Sequence, residues 1–157
     1  MPNYCDYDMK VVSKSKDSID KLFSIMDYKD KTRQMYRVLD VNMDKVEREG
    51  NLFSCLFGGN VAWSCLYWVE KYDKDLSILP ELCKELGIGI ELWSSEVGVG
   101  FQEHYVINKD GVVVVKECVD YREECNDDGE VINTQGGFDN YGWYHNAENI
   151  LLGQGVE

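Results

Sequence analysis

The last two thirds of this chain are short of positive charge. Residues 51–157 hold 6 Lys/Arg against 19 Asp/Glu, whereas residues 1–50 hold 10 of each, so the formal net charge of −13 arises entirely beyond residue 50. A deficit of this size excludes attraction to nucleic acid or to an anionic membrane surface and favours encounter with basic surfaces. Histidine is also scarce. His104 and His145 are the only side chains that titrate near neutrality without a large shift. Proline occurs twice and there is no Ser/Gly tract, which leaves no obvious linker. No apolar run reaches the roughly 18 residues needed to cross a bilayer. The opening residues carry neither a basic nor an apolar leader segment, so the sequence predicts a cytosolic protein.

Catalytic and metal-binding signatures are missing as well. The six cysteines are Cys5, Cys55, Cys65, Cys83, Cys118 and Cys125, with no C-x-x-C pair. In a reducing compartment they are expected to be free thiols, and no local spacing matches a zinc signature. No Gly-x-Ser-x-Gly elbow occurs. Gly98-Val99-Gly100 leads into Phe101-Gln102-Glu103 and not into a helix, so it lacks the context of a phosphate cradle. Aligning Gly129 with the glycine of an EF-hand loop places Glu124, Asn126 and Asp128 at calcium-ligand positions. The closing position is then Gln135, not a bidentate Glu, which points to an ordinary acidic turn. The expectation is a protein without enzymatic activity, cofactor or metal.

What is present is ample material for a core. The 157 residues are 44% hydrophobic and 12% aromatic, which suits one folded domain. Ile19, Leu22, Phe23 and Met26 fall at i, i+3, i+4, i+7, with Ser15 or Asp17 placed to cap a helix; Leu79, Leu82, Cys83 and Leu86 repeat the spacing, with Ser77 as N-cap, Pro80 in the first turn and Gly87 as a left-handed C-cap. Strands are expected over Tyr4 to Ser13, over Tyr36 to Met43 (with Tyr36, Val38 and Asp40 on one face), and in the aromatic stretch Leu52 to Trp68, where Gly58-Gly59-Asn60 reads as a bend. Ile88, Ile90 and Leu92 alternate strictly. Tyr105 to Asn108 and Val112 to Val119 flank Lys109-Asp110-Gly111 and read as a hairpin. The order predicts an α+β fold of the ferredoxin-like plait type, a mainly antiparallel sheet with two helices on one face, plus a hairpin and a loop-rich tail. Residues 1–125 form the domain. Residues 126–157 form an acidic, aromatic extension packed on it, with a short helix near Ala147 to Leu152.

Three short stretches carry a family resemblance. Met1-Pro2-Asn3-Tyr4-Cys5, Val61-Ala62-Trp63-Ser64 and Leu92-Trp93-Ser94-Ser95-Glu96-Val97-Gly98-Val99-Gly100-Phe101 resemble segments of the YubB-like ferredoxin-like domain proteins of phages and plasmids, over residues 1–120 in outline. The family usually has Trp where Tyr4 stands and Pro after Ser64. The resemblance implies a plait fold and a mobile-element origin, and it supplies no catalytic residues.

The remaining feature is the acid run. Residues 117–131 hold Glu117, Asp120, Glu123, Glu124, Asp127, Asp128 and Glu130 against Arg122 alone. Such a run suits a solvated strand edge that keeps the protein soluble. It also suits a surface that imitates a nucleic-acid backbone toward a basic host protein, such as a nuclease or a CRISPR effector, with Trp143 and Tyr144 as anchors. A second expectation is a small-ligand or enzymatic pocket between sheet and tail, lined by Glu103, His104, Tyr105 and Cys118. A third is a structural module that self-associates through a strand.

Overall fold

The computed structural model describes residues 3–156; Met1 and Pro2 of the opening stretch lie outside the described residues. The chain runs β1 (Tyr4–Ser13), α1 (Lys16–Met26), β2 (Val38–Met43), β3 (Glu47–Glu49), β4 (Leu52–Ala62), α2 (Leu66–Val69), α3 (Leu79–Leu86), β5 (Ile88–Glu96), β6 (Phe101–Ile107), β7 (Val113–Cys125), β8 (Val131–Gly136) and α4 (Ala147–Leu152). The strands form one antiparallel sheet in the order β2-β4-β1-β5-β6-β7-β8, with β3 beside β4. The expected α+β class, with a mostly antiparallel sheet and the two helices α1 and α3 on one face, is what the structure shows.

The helices α1 and α3 form where the apolar spacing places them. Ile19, Leu22, Ile25 and Met26 of α1 and Leu79, Leu82 and Cys83 of α3 are buried, against Tyr7, Met9 and Val11 of β1 and Ile88, Ile90 and Leu92 of β5. Gly87 ends α3 at φ 67°, donating its amide to the Cys83 carbonyl. The expected N-caps differ. Ser15 holds the N-cap position of α1 without a side-chain bond, and Ile78 precedes α3 because Ser77 instead accepts a hydrogen bond from Arg33.

Three strand expectations are corrected. The stretch expected to run to Trp68 ends at Ala62, and Leu66–Val69 form the short helix α2. Gly58-Gly59-Asn60 is not a bend: β4 runs through it without a break, between Tyr7–Asp8 of β1 and Val41–Asn42 of β2. The glycines serve close approach, since a Cβ on Gly59 would lie 2.1 Å from the Asp40 carbonyl oxygen. In β2 a register shift between Val38 and Asp40 breaks the expected alternation, so that Val38, Val41 and Met43 all pack toward the main core.

The tail covers the opposite face. Val12 and Leu52 bury with Ala147, Ile150 and Leu151 of α4, while their chain neighbours Val11 and Phe53 face the other way. Gly89 lies under α4, where a Cβ would come within 2.8 Å of the Leu151 Cα. β5 is therefore covered on both sides, and every one of its residues but Ser95 is buried. The expected tail helix is present, capped by the Asn146 side chain on the Asn149 amide. The tail is not loop alone, because β8 pairs with β7 as a second hairpin around the expected Asn126 to Gly129 turn.

Candidate functional site

On the helix face the structure gathers polar groups around one buried carboxylate, Glu103 of β6, which is 2% exposed. Its Oε1 accepts from Ser64 Oγ (2.5 Å) and Tyr105 OH (2.8 Å). Its Oε2 accepts from Ser94 Oγ (2.6 Å) and the Cys65 amide (3.1 Å), with Cys5 Sγ at 3.7 Å. A buried charge survives only when its lone pairs are filled, and here they are. Burial, reinforced by Glu103, pushes the Tyr105 hydroxyl far up, so it stays a donor. Ser64 and Cys65 reach the carboxylate because Trp63 takes φ 71°, unusual for a bulky residue, and the Ser64 amide closes a tight turn on the Ala62 carbonyl (2.9 Å). The Trp63 amide in turn donates to the Asn3 carbonyl (2.9 Å).

Cys5, Cys65 and Glu103 place three ligand atoms within 4.8 Å of one another. No local spacing in the chain announces this cluster, since the cysteines come from β1 and from the turn before α2. Burial, followed by the neighbouring Cys5 thiol, raises the Cys65 thiol well above its ordinary value. A metal here would have to deprotonate a disfavoured thiol and displace donors already seated on Glu103. The set fits a hydrogen-bonded anion better than a resident ion.

The tail face holds a second buried carboxylate, Glu91 of β5. It accepts from His104 Nε2 (2.7 Å), from His145 Nδ1 (2.9 and 3.0 Å) and from the His145 amide (2.6 Å). Because a carboxylate only accepts, these bonds fix the tautomers: His104 carries its proton on Nε2 and His145 on Nδ1. Burial alone would raise the Glu91 carboxyl, but the bonds from the two histidines together outweigh it and hold it below the ordinary range. The His104 ring stacks on Trp93 at 3.6 Å, and Phe138 and Tyr141 close over Trp93. Lys10 donates to the His145 carbonyl and pairs with Glu49, which accepts from the Ala147 amide. Three charged side chains thus fasten residues 145–147 to the sheet. His104, expected on a strand, is on one; its link to His145 through Glu91 was not visible in the sequence.

The pocket expected between sheet and tail is divided by the sheet itself. Glu103, Tyr105 and Cys118 line a cavity of about 300 Å³ on the helix face, with Ser64, Leu66 and Phe101, while His104 points to the tail face. A larger cavity of about 460 Å³ on the tail side is lined by Lys10, Lys45, Glu49, Ser54 and Tyr144.

Glu117 and Asp120 lie where β7 pairs with β6, and the other acidic residues lie on the arm that β7 and β8 extend beyond it. Glu117 and Glu123 occupy one face of β7 and Asp120 and Glu124 the other, because strand alternation separates them. Asp127, Asp128 and Glu130 sit in the turn to β8, where Asn126 Oδ1 accepts from the Asp128 and Glu130 amides and so folds the turn. From Arg122 to Gly136 no residue is buried. Trp143 is 74% exposed, whereas Tyr144 packs half-buried on the sheet. Gly98 and Val99 donate their amides to the Glu96 carboxylate, so the chain's own acid fills that small anion cradle.

Among the described residues no helix is long and apolar enough to cross a membrane. No family model matches the chain, and neither a curated protein nor a solved structure matches it.

Proposed function

We propose that this chain is a non-enzymatic protein-binding domain that offers an acidic β-ribbon to a basic partner inside a host cell. One observation carries the reading: the β7–β8 arm leaves the core with both faces in water and gathers Glu123, Glu124, Asp127, Asp128 and Glu130 at its end. A lone two-stranded ribbon is marginally stable and buries nothing for the fold, so its length is explained by contact with something else. Charge on both faces suits insertion into a basic cleft. Val131 and Ile132, 51% and 60% exposed, add apolar contact beside the acids, and Trp143 supplies an aromatic anchor.

The sharper form is an inhibitor of a nucleic-acid-handling host protein, a nuclease or CRISPR effector, that occupies the nucleic-acid site by charge mimicry. The acid excess and the resemblance to phage and plasmid proteins support it. The plait reading is supported by the strand order β2-β4-β1-β5, with α1 and α3 crossing on one face. The three stretches that carry the resemblance also meet around Glu103, through Asn3, Cys5, Ser64 and Ser94.

Capture of partners from nuclease-treated host lysate across a salt series, followed by competition with DNA or RNA, tests the reading. A nucleic-acid-binding protein released by salt and by competitor is expected. Replacing Glu123, Glu124, Asp127 and Asp128 by Lys should abolish capture while the domain stays folded. Capture that survives this change removes the acidic arm from the function.

A further inference from the structure

The two edges of the sheet are built differently. At one end β2 carries a register shift and the exposed charge of Asp40, devices that discourage strand pairing. At the other end β8, Val131-Ile132-Asn133-Thr134-Gln135-Gly136, has no charge and no proline, and β7 is its only strand partner among the described residues. The backbone direction of β8 follows from one bond. The Gly137 amide donates to the Asp120 carbonyl at 2.8 Å, which makes these two a bonded pair. Bonded and non-bonded pairs alternate along an antiparallel ladder. Gln135 opposite Arg122 and Asn133 opposite Glu124 are therefore bonded to β7, and the amides and carbonyls of Thr134 and Gly136 point away from it. The tail does not cover them, because the Phe138 amide turns to Gln102 on β6 and the aromatics close over Trp93 on β5.

We propose that the free edge of β8 takes up an extended basic segment of a partner as an added strand. The edge supplies main-chain bonds through Thr134 and Gly136, and the acids of β7 and of the turn set the partner's charge. This choice of charge rests on the acidic-ribbon reading above. A second copy of the chain is a poor occupant, because pairing β8 with itself brings two sets of Glu123, Glu124, Asp127, Asp128 and Glu130 together. A segment that alternates Lys with a strand-forming residue neutralises those acids and leaves its own backbone free to pair.

The test uses the full chain, isotopically labelled, and a synthetic peptide alternating Lys with Val and Thr, with a Glu-for-Lys peptide as control. Amide exchange is read residue by residue. The Lys peptide should slow exchange at Thr134 and Gly136 and leave β2 unchanged, and the Glu peptide should do neither. Thr134→Pro removes an outward amide while keeping every acid and the bonds to β7, and should weaken the Lys peptide about tenfold or more. No protection at Thr134 and Gly136 in the unsubstituted chain overturns the proposal, whatever the proline variant does to folding. The Lys-reversed variant at Glu123, Glu124, Asp127 and Asp128 separates the two readings. If it loses the peptide while Thr134→Pro keeps it, the acidic surface stands and strand addition falls. If it keeps the peptide while Thr134→Pro loses it, strand addition stands and the role of the acids falls.

Discussion

Glu103 and Glu91 are adjacent-strand neighbours in charge type but not in task. Glu103 is held by hydroxyls, a thiol and an amide from four separate segments, and it offsets the strained backbone at Trp63 by accepting from Ser64 and Cys65. Substituting Glu103→Gln puts an amide donor where only donors converge. Hydroxyls can rotate, but the Cys65 amide cannot. The variant should lose about 1–3 kcal/mol, read as a lower urea midpoint at unchanged slope. Glu91 makes a different, pH-dependent contribution. Its folded pKa lies below the ordinary value of 4.5, so its stabilisation is fully present above that pH and is lost as pH falls through the folded value. Glu91→Gln should therefore destabilise the chain at neutral pH, and the gap from the unsubstituted protein should close on acidification. A gap that stays constant with pH would mean that the histidines do not hold the carboxylate in its charged form. The sequence pointed to Glu103 only as a pocket-lining residue and did not point to Glu91. Both lie on strands where alternation marks apolar residues as inward, and their burial depends on a second covering layer formed by distant segments.

Elements were legible where local chemistry decides them. The helical spacing of Ile19 to Met26 and of Leu79 to Leu86, the αL cap at Gly87 and the Asp110-Gly111 turn act within a few residues, and the structure follows them. The Gly58-Gly59-Asn60 stretch misled because glycine signals a turn and a close approach alike. Only the packing of β2 on β4 tells which applies. The difference can be measured. At Gly59→Ala the new Cβ meets the Asp40 carbonyl at 2.1 Å, and backbone must move. At Gly58→Ala it meets the mobile Asp8 carboxylate at 3.1 Å. Gly59→Ala is expected to destabilise by about 1–3 kcal/mol, and Gly58→Ala by distinctly less, in parallel denaturant titrations. Equal effects would imply that β2 is loosely held. The β8 strand was missed for a related reason: Val131 to Gln135 lacks the half-buried alternation by which strands are recognised, since both of its faces are in water.

At the scale of the molecule, charge and stability pull against each other on the β7–β8 arm. The core, the helix layer and the tail account for the fold without it, yet the arm concentrates like charges that repel within a Debye length. An arm kept only for solubility should tolerate charge of either sign. An arm shaped for a basic partner keeps its acids at the expense of its own stability. The Lys reversal of Glu123, Glu124, Asp127 and Asp128 distinguishes these cases when binding and stability are measured on one sample. On the binding reading, the variant melts at the same or a higher temperature, its arm amides exchange more slowly at low salt, and it no longer holds a basic partner. Added salt should slow arm exchange in the unsubstituted chain by screening the acids. If reversal instead loosens the arm, Arg122 is a structural partner of the acids, and the charge pattern belongs to the fold.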